Sequence, residues 1–459
     1  MRKPLLLVVL VAALAGFIFA SFSTYDFVQH LDRQVHGLHC SFIPGLTGTD
    51  VSGASGCHVA LMSPYSSFFR TALWGGLPIS LPAMAVFAFL ACRAVLALIR
   101  EGDTTREIGW LVIAAVIPLL ASTVMGAIAA TQLSAFCKLC VGIYASSAVL
   151  FAAALAAYFA RPVAAVADDD YLSYMQAPSE PAVPSGSDPY PAPVAPPGGR
   201  DPIFNEPTSP GIYPDDAQAR EGGFSAGVAV AQGFGFVLLP VMLYALAAPN
   251  FSKFVGTCGE LAKPEDPYNV MLSLPGGKGV PAVEVFDPLC PSCKALEERL
   301  DASGLGQELD RKLVLFPLDS TCNWMVGTTI HPGACAVSEA VLCAGSAKAE
   351  AVIDWAFAHQ EEIRTKAGAA PDPATGEAVA GDMAVAQFPE LQGCVGSAKV
   401  KSQINKSLRW AVSNQLQVLT PQLYVRGTKL CDEDTDIGLD YSLRRLVNQQ
   451  PGSKKEGAP

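Results

Sequence analysis

Phe136-Cys137-Lys138-Leu139-Cys140 lies between two apolar segments, one ending near Leu133 and the next beginning at Val141. Its cysteines therefore fall where a tight turn meets the edge of a membrane helix. Positions i and i+3 of a helix share a face, so the two cysteines can pair, and a helix N-terminus favours the thiolate. The stretch predicts a reactive dithiol facing the apolar interior of a membrane, within reach of a lipid-soluble electron acceptor. The alternative is a pair of small residues that packs the helix end.

Composition narrows the class of protein. The chain has 459 residues, enough for about three domain-sized units. Its hydrophobic fraction of 51% and charged fraction of 16% indicate a membrane protein. A net charge of -11, without a stripe of Lys and Arg, argues against nucleic acid as a partner. Thirteen cysteines are too many for an ordinary cytosolic protein and favour an oxidising compartment.

Five apolar runs are long enough to cross a membrane. The first comes after a short basic start, and we favour an anchor over a cleaved signal peptide; in either case the residues after Ser23 are exported. Arginines at the far end of the second run mark the cytoplasmic side. The runs are about Pro4 to Ser21, Leu77 to Leu98, Ile108 to Gln132, the segment from the central cysteines to about Phe159, and Ala226 to Ala248; the arginines are Arg93, Arg100 and Arg106.

The first four runs predict a four-helix membrane domain over residues 1–161, with an exported loop at 24–73. The loop carries Cys40 and Cys57, which we interpret as a redox shuttle pair, with a structural disulfide as the alternative. Histidines His36, His39 and His58 raise a metal-binding reading, but their spacing fits no tight zinc motif and no metal site is predicted. Cys92, alone near the inner face, is interpreted as a packing residue.

The chain changes character after the fourth run. Residues 162–223 are rich in proline and predict a disordered cytoplasmic linker. Residues 224–249 predict a fifth transmembrane helix. A helix that leaves an inside linker emerges outside, so residues 250–459 are predicted to form an exported domain.

The exported domain opens with a strand followed by a second cysteine motif. Val283 to Phe286 alternates like a strand, and Cys290-Pro291-Ser292-Cys293 begins a helix that runs to about Leu300. A strand followed by CxxC at a helix N-terminus is the thioredoxin-type arrangement, with Cys290 as the activated thiol and Cys293 as the resolving thiol. A zinc knuckle is the alternative, although no second CxxC lies at zinc-ribbon spacing.

The remaining pattern completes a thioredoxin-like domain with a helical insertion. A strand at Leu313 to Phe316 is followed by a helical stretch of roughly ninety residues, which suits an inserted lobe. A closing hairpin starts at Leu419 to Val425, and a last helix covers about Leu439 to Asn448. Thr420-Pro421 is placed like a cis-proline beside the active site, where it would leave backbone free for a client chain. A trans proline entering the strand is the alternative.

Six further cysteines in this domain allow fifteen pairings, which the sequence does not decide. Their even number in an exported domain favours structural bridges. Proximity suggests Cys322 with Cys335, and a bridge from Cys343 to Cys394 would staple the helical lobe. The other two are Cys258 and Cys431.

A set of motifs extends over most of the chain outside the linker. It consists of Cys40 and Cys57, Ser63-Pro64-Tyr65, Gly76-Leu77-Pro78-Ile79-Ser80, and Phe136-Cys137-Lys138-Leu139-Cys140 with Tyr144. In this combination the chain resembles the vitamin K epoxide reductase family in its bacterial form, fused to a thioredoxin-like domain. The C-terminal part, with Cys290-Pro291-Ser292-Cys293 and Thr420-Pro421, is similar to DsbA-like oxidoreductases.

The resemblance implies a role for each membrane-side cysteine. Cys140 would lie beside a bound quinone, and Cys137 would exchange with the loop pair. Cys57 would meet the thioredoxin-like domain, and Cys40 would pass electrons on to Cys137.

The resemblance also implies that Ser63 and Tyr144 line or close the quinone pocket. Thr420 and Pro421 would border the bound client. Two departures stand out: the loop cysteines are further apart than is usual in the family, which leaves their order of use open, and Arg70-Thr71 occupies the place of a usual glycine.

The function expected from residues and resemblance together is that of a membrane thiol–disulfide oxidoreductase. It would oxidise reduced exported proteins and pass their electrons to the membrane quinone pool, as ubiquinone or menaquinone. The expected location is the bacterial cytoplasmic membrane, in contact with lipid, with the thioredoxin-like domain on the periplasmic side. A reductive or isomerase relay and a metal-binding membrane anchor are the alternatives.

Overall fold

The computed structural model describes residues 2–32, 38–40, 56–100, 104–133, 136–160, 226–274 and 279–449. The predicted linker at 162–223 lies outside these residues. So do parts of the predicted loop at 24–73, including His36.

The N-terminal region is helical. Among the described residues, five helices are long and apolar enough to cross a membrane, which confirms the five predicted runs. A short helix, Gly56–Met62, carries Cys57, and a two-stranded hairpin precedes the second long helix. The elements are α1 (Arg2–Gln29), α2 (Gly56–Met62), β1 (Ser67–Phe68), β2 (Leu77–Pro78), α3 (Ser80–Ile99), α4 (Thr105–Ile128), a π-helical turn (Ala129–Leu133), α5 (Lys138–Phe159) and α6 (Ala226–Ala247).

Helix α1 lies between α3 and α5, and α4 packs on α5. Close approach depends on small residues, since a Cβ atom added at Gly142 would come within 2.7 Å of the Phe19 ring. Cys92 is exposed on α3, so its interpretation as a packing residue is wrong: at this position the helix turns its side chain outward.

The C-terminal region has the thioredoxin-like α/β arrangement. Its five strands stand in the order β3-β5-β4-β6-β7, with β4 parallel to β5 and the other pairs antiparallel. Helix α7 connects the parallel pair, and α8 to α11 form the predicted helical insertion before the closing hairpin. The elements are β3 (Leu272–Ser273), β4 (Val280–Phe286), α7 (Pro291–Ser303), β5 (Leu309–Leu315), α8 (Ala334–Ala358), α9 (Gln360–Gly368), α10 (Pro373–Gln387), α11 (Ala398–Ser413), β6 (Gln422–Val425), β7 (Thr428–Lys429) and α12 (Leu439–Asn448).

The two regions share a buried contact between the β1–β2 hairpin and α12. Arg70 Nε lies 2.8 Å from a carboxylate oxygen of Asp440, and both side chains are buried. Trp74 donates a hydrogen bond to the carbonyl of Leu31, and its ring meets Tyr441 edge-on. The thioredoxin-like region is therefore seated on the end of the bundle that carries the loop cysteines.

Candidate active site

The loop cysteines form a disulfide, with 5.8 Å between the Cα atoms of Cys40 and Cys57. This disulfide belongs to a buried cluster with Leu38, Leu139 and the first cysteine of the membrane motif. The approach is close because α2 begins with glycine: a Cβ atom at Gly56 would lie 2.5 Å from the carbonyl oxygen of Phe136. The fold thus brings the two cysteine pairs together.

The membrane cysteines begin α5. Cys137 is the N-cap residue, and its sulfur accepts a hydrogen bond from the backbone N–H of Cys140 at 3.3 Å. Both are free thiols, and Cys137 is buried whereas Cys140 is half-buried. The turn and cap therefore hold the two thiols of the central motif next to the loop disulfide.

A small cavity of about 70 Å³ lies beside this dithiol. Tyr144 projects into it from α5 and packs over Gly126 of α4, where a Cβ atom would stand 3.7 Å from the ring. The π-helical turn at the end of α4 contributes one side, a feature that recurs at functional sites. The polar and thiol lining consists of Ser23, Asp26, Cys57, Ser63, Ser66, Ser80, Cys137, Cys140 and Tyr144.

Asp26 is a candidate residue that sequence reasoning missed. Its buried carboxylate accepts hydrogen bonds from the backbone N–H of His39 at 2.9 Å and lies 2.6 Å from His39 Nδ1. These bonds fix the residue next to Cys40 to the end of α1. His39 therefore anchors the loop to α1. The metal-binding alternative for this loop also involves His36, which lies outside the described residues. An acidic residue at the end of an apolar run was the available signal.

The second cysteine pair lies at the start of α7. Cys290 is the N-cap residue and Cys293 is fully buried one turn later. The Cys290 sulfur lies 3.5 Å from the carbonyl oxygen of Thr420, and the Thr420–Pro421 peptide bond is cis. The predicted juxtaposition of CxxC and cis-proline is confirmed.

The two thiols differ in acidity. The hydrogen bond from Cys293 contributes most to lowering the pKa of Cys290 to about 6, with a further contribution from Thr420, while burial opposes the change. Burial raises the pKa of Cys293 well above its usual value. At neutral pH the reduced pair therefore presents one thiolate, at Cys290.

A buried Asp–His pair stands behind this thiolate and was also missed. Asp287 is fully buried at the end of β4, and its carboxylate oxygen lies 2.7 Å from His331 Nδ1. Histidine in a loop 44 residues away gives no sequence signal of this contact.

The two CxxC motifs occupy separate buried clusters. Cys290 and Cys293 belong to the core of the thioredoxin-like region, whereas Cys57 and Cys137 lie in the cluster over α5. Three further disulfides stabilise the C-terminal region, two of them as suggested from the sequence: Cys322–Cys335, Cys343–Cys394 and Cys258–Cys431.

Comparison with known proteins shows likenesses in both regions. Residues 7–155 match the profile of the Vitamin K epoxide reductase family. A thioredoxin-like oxidoreductase from Silicibacter pomeroyi is 17% identical, with 40% of this chain and 95% of that chain covered and a TM-score of 0.25. DsbA from Xylella fastidiosa is 21% identical, with 37% and 88% covered and a TM-score of 0.27. A linker-deletion mutant of ScsC from Proteus mirabilis is 17% identical, with 50% and 98% covered and a TM-score of 0.27.

No curated protein matches the chain. The structural likenesses are too low in identity and TM-score to bear on function. The thioredoxin-like assignment rests on the strand order, the CxxC at a helix start and the adjoining cis-proline.

Proposed function

Because residues 7–155 belong to the vitamin K epoxide reductase family, we propose that the chain is a membrane thiol–disulfide oxidoreductase that oxidises exported proteins and reduces a membrane quinone. One observation carries the proposal. A free dithiol, Cys137 and Cys140, begins a membrane-spanning helix and lies under the Cys40–Cys57 disulfide. Such a pair can exchange with the disulfide above it and with an acceptor in the apolar phase.

In the proposed first step a reduced client meets the disulfide of Cys290 and Cys293. A client thiolate attacks the Cys290 sulfur and expels Cys293, which takes up a proton. The second client thiolate then attacks the client sulfur of the mixed disulfide and expels Cys290, whose low pKa makes it a good leaving group. The client leaves with a new disulfide, and the pair keeps two electrons and one proton, with Cys293 as the thiol and Cys290 as the thiolate, while the second proton goes to solvent. Thr420 and Pro421 border Cys290 and would contact the client backbone.

In the next steps the same two electrons move inward by two exchanges. The Cys290–Cys293 dithiol reduces Cys40–Cys57, and the loop dithiol reduces Cys137–Cys140. In the proposed order Cys57 receives the attack and Cys40 passes the electrons to Cys137. The described contacts bring the loop disulfide and the membrane dithiol together, since Cys57 and Cys137 share a buried cluster against which Cys40 and Cys140 pack.

The lining of the cavity beside Cys140 supports a quinone as the electron acceptor. Its walls are largely apolar, and hydroxyl groups of Ser63 and Tyr144 face it. The Tyr144 hydroxyl makes no hydrogen bond within the described part of the chain, so it is available to a carbonyl oxygen. A quinone, when bound, takes up two electrons and two protons. Cys140 lies on the cavity wall and would deliver the electrons.

The proposed orientation places the cysteine sites on the periplasmic side of a bacterial cytoplasmic membrane. Arg93 and Arg100 converge on Glu107 at the opposite end of the bundle, where the positive-inside rule places the cytoplasm. The reductive alternative needs an electron source at that end. Within the described helices the only thiol there is the lone Cys92.

Trapping the redox state of each pair tests the proposed order. Full-length protein in detergent is given a reduced client and a quinone without oxygen, quenched with acid, and alkylated for peptide mass spectrometry. In Cys140→Ala we expect Cys290 and Cys57 to accumulate as thiols, whereas in the wild type they return to disulfides. Cys92→Ala is the matched control and should behave as wild type. Reoxidation of the Cys140→Ala protein at the wild-type rate would refute the path.

A further inference from the structure

Asp287 places a charge immediately behind the outer redox pair. It is three residues before Cys290 and is fully buried. One carboxylate oxygen accepts the backbone N–H of Leu289 at 2.8 Å, and the other accepts that of Leu318 at 2.8 Å. The Asp287 carboxylate disfavours the Cys290 thiolate and raises the pKa of that thiol.

His331 pairs with the Asp287 carboxylate. With both carboxylate oxygens acting as acceptors, the 2.7 Å contact to His331 Nδ1 requires the imidazole to donate. Burial lowers the pKa of His331, but the hydrogen bond and charge of Asp287 outweigh it and raise the pKa above its usual value. Two other charged groups act on His331: the Cys290 thiolate also raises its pKa, whereas Arg364 of α9 lowers it.

The loop that carries His331 is fixed at both ends. The His331 backbone N–H donates to the carbonyl of Leu318, and Cys322–Cys335 closes the loop. Asp319 accepts hydrogen bonds from Thr329 and Gly333 on either side of the histidine. The imidazole is therefore held against Asp287 by the scaffold.

We propose that His331 is a positioning and charge-compensating residue for Cys290: it neutralises Asp287 and so sets how strongly the Cys290–Cys293 disulfide oxidises its clients. The Pro291-Ser292 dipeptide between the cysteines contributes no histidine. The compensating cation comes instead from the loop before α8. This inference rests on the proposed thiol–disulfide function and adds the residue that determines its driving force.

His331→Asn separates charge from structure, because its amide can donate from the position of Nδ1 but stays neutral. The full-length protein is equilibrated with glutathione buffers, and the Cys290 peptide is scored as thiol or disulfide by mass spectrometry. We expect the equilibrium constant for reduction of the pair to fall about tenfold, the change that accompanies one unit of thiolate pKa, or about 30 mV. The pH midpoint for alkylation of reduced Cys290 should rise in parallel.

A double variant tests whether the lost charge of His331 causes the change. In Asp287→Asn/His331→Asn the opposing charge is gone as well, so the equilibrium constant should return to within about twofold of wild type. His359→Asn is the matched control, since His359 Nδ1 bonds only a neutral carbonyl, that of Trp355. If His331→Asn misfolds, seen as loss of the Cys343–Cys394 disulfide in the same digest, His331→Gln replaces it as the neutral variant.

The outcomes are distinguishable. A Cys290–Cys293 pair that never forms a disulfide at any glutathione ratio overturns the proposed function itself. A pair that titrates in the wild type but is unchanged in His331→Asn overturns only the charge-compensating role. A shift in His331→Asn that the double variant fails to reverse shows a packing effect and also overturns it.

Discussion

Asp440→Asn tests whether one buried ion pair holds the thioredoxin-like region on the membrane bundle. Asp440 lies in α12 and pairs with Arg70 of the hairpin region at 2.8 Å, with side-chain exposures of 8% and 7%. Arg70 also donates to the carbonyl of Ser63, which lines the cavity beside Cys140. The pair therefore connects the last helix of the chain to the wall of the membrane site.

The expected cost of Asp440→Asn follows from the burial of both side chains of the ion pair. Burial lowers the pKa of Arg70 and raises that of Asp440, so each charge depends on the other for compensation. Removing one member of a buried pair costs about 3–5 kcal/mol. The amide in Asp440→Asn keeps a polar oxygen near the Arg70 guanidinium, so we expect the lower end, about 3 kcal/mol. This weakens docking by roughly a hundredfold.

Hydrogen exchange of the full-length protein in detergent measures how far the substitution weakens docking of the thioredoxin-like region. Amides of the β1–β2 hairpin and of α12 should exchange up to about a hundredfold faster in the variant, because interface opening exposes them. Arg444–Glu308 offers a matched control on the same helix: the charged atoms are 2.7 Å apart, close to the 2.8 Å of Arg70–Asp440, but the side chains are 34% and 39% exposed. Glu308→Gln should therefore cost at most about 1 kcal/mol.

A compensating variant excludes a general loss of folding. Arg70→Met/Asp440→Leu removes both charges, and apolar replacement of a buried pair is often neutral or stabilising. We expect exchange in this variant to return close to wild type. Unchanged exchange in Asp440→Asn, or an equal effect of Glu308→Gln, would refute the reasoning.

Three further predictions address the separate sites. Gly56→Ala should slow electron transfer from the loop dithiol to the membrane cysteine pair, because the added methyl meets the Phe136 carbonyl at 2.5 Å. Rapid-quench alkylation measures this rate, and Gly327→Ala, where a Cβ meets nothing within 4 Å, should not change it. Alkylation of reduced Cys290 should follow pH with a midpoint of about 6, and a midpoint near the ordinary thiol value would contradict the assigned hydrogen bonds. Burial, and to a smaller extent the negative charge of Glu297, raises the pKa of Glu284 from 4.5 to about 8. The unfolded chain therefore loses this proton at a lower pH than the folded chain. The free energy of unfolding should fall as the pH rises from about 4.5 to about 8. Glu284→Gln should flatten that part of the thermal-midpoint profile, and an unchanged slope would show that Glu284 ionises normally.

The membrane helices and both CxxC motifs could be predicted because their signals are local. Apolar length identifies a spanning helix, and a strand followed by CxxC identifies the thioredoxin-type turn. The last helix, Leu439–Asn448, agrees with its prediction because an amphipathic repeat defines it. By contrast, α1 continues through polar residues to Gln29, and Leu77–Pro78 pairs as a strand instead of starting α3, because contacts with other elements decide these ends.

The Asp–His and Arg–Asp pairs could not be predicted, since their members are distant in sequence. Asp287 and His331 are 44 residues apart, and each residue type is unremarkable in a loop. Asp26 and His39 are nearer, yet only folding of the loop back onto α1 makes them partners. Arg70 stands where the resemblance predicts a glycine, and its contacts to Ser63 and Asp440 give the side chain a structural role.

Quinone absorbance, followed without oxygen in a mixture of full-length protein, a reduced dithiol client and a soluble quinone, tests the central claim most directly. The account predicts quinone reduction in proportion to client disulfides formed, lost in both Cys140→Ala and Cys290→Ala. Client oxidation by Cys290–Cys293 without any quinone reduction would contradict it and leave a membrane-anchored thioredoxin-like protein.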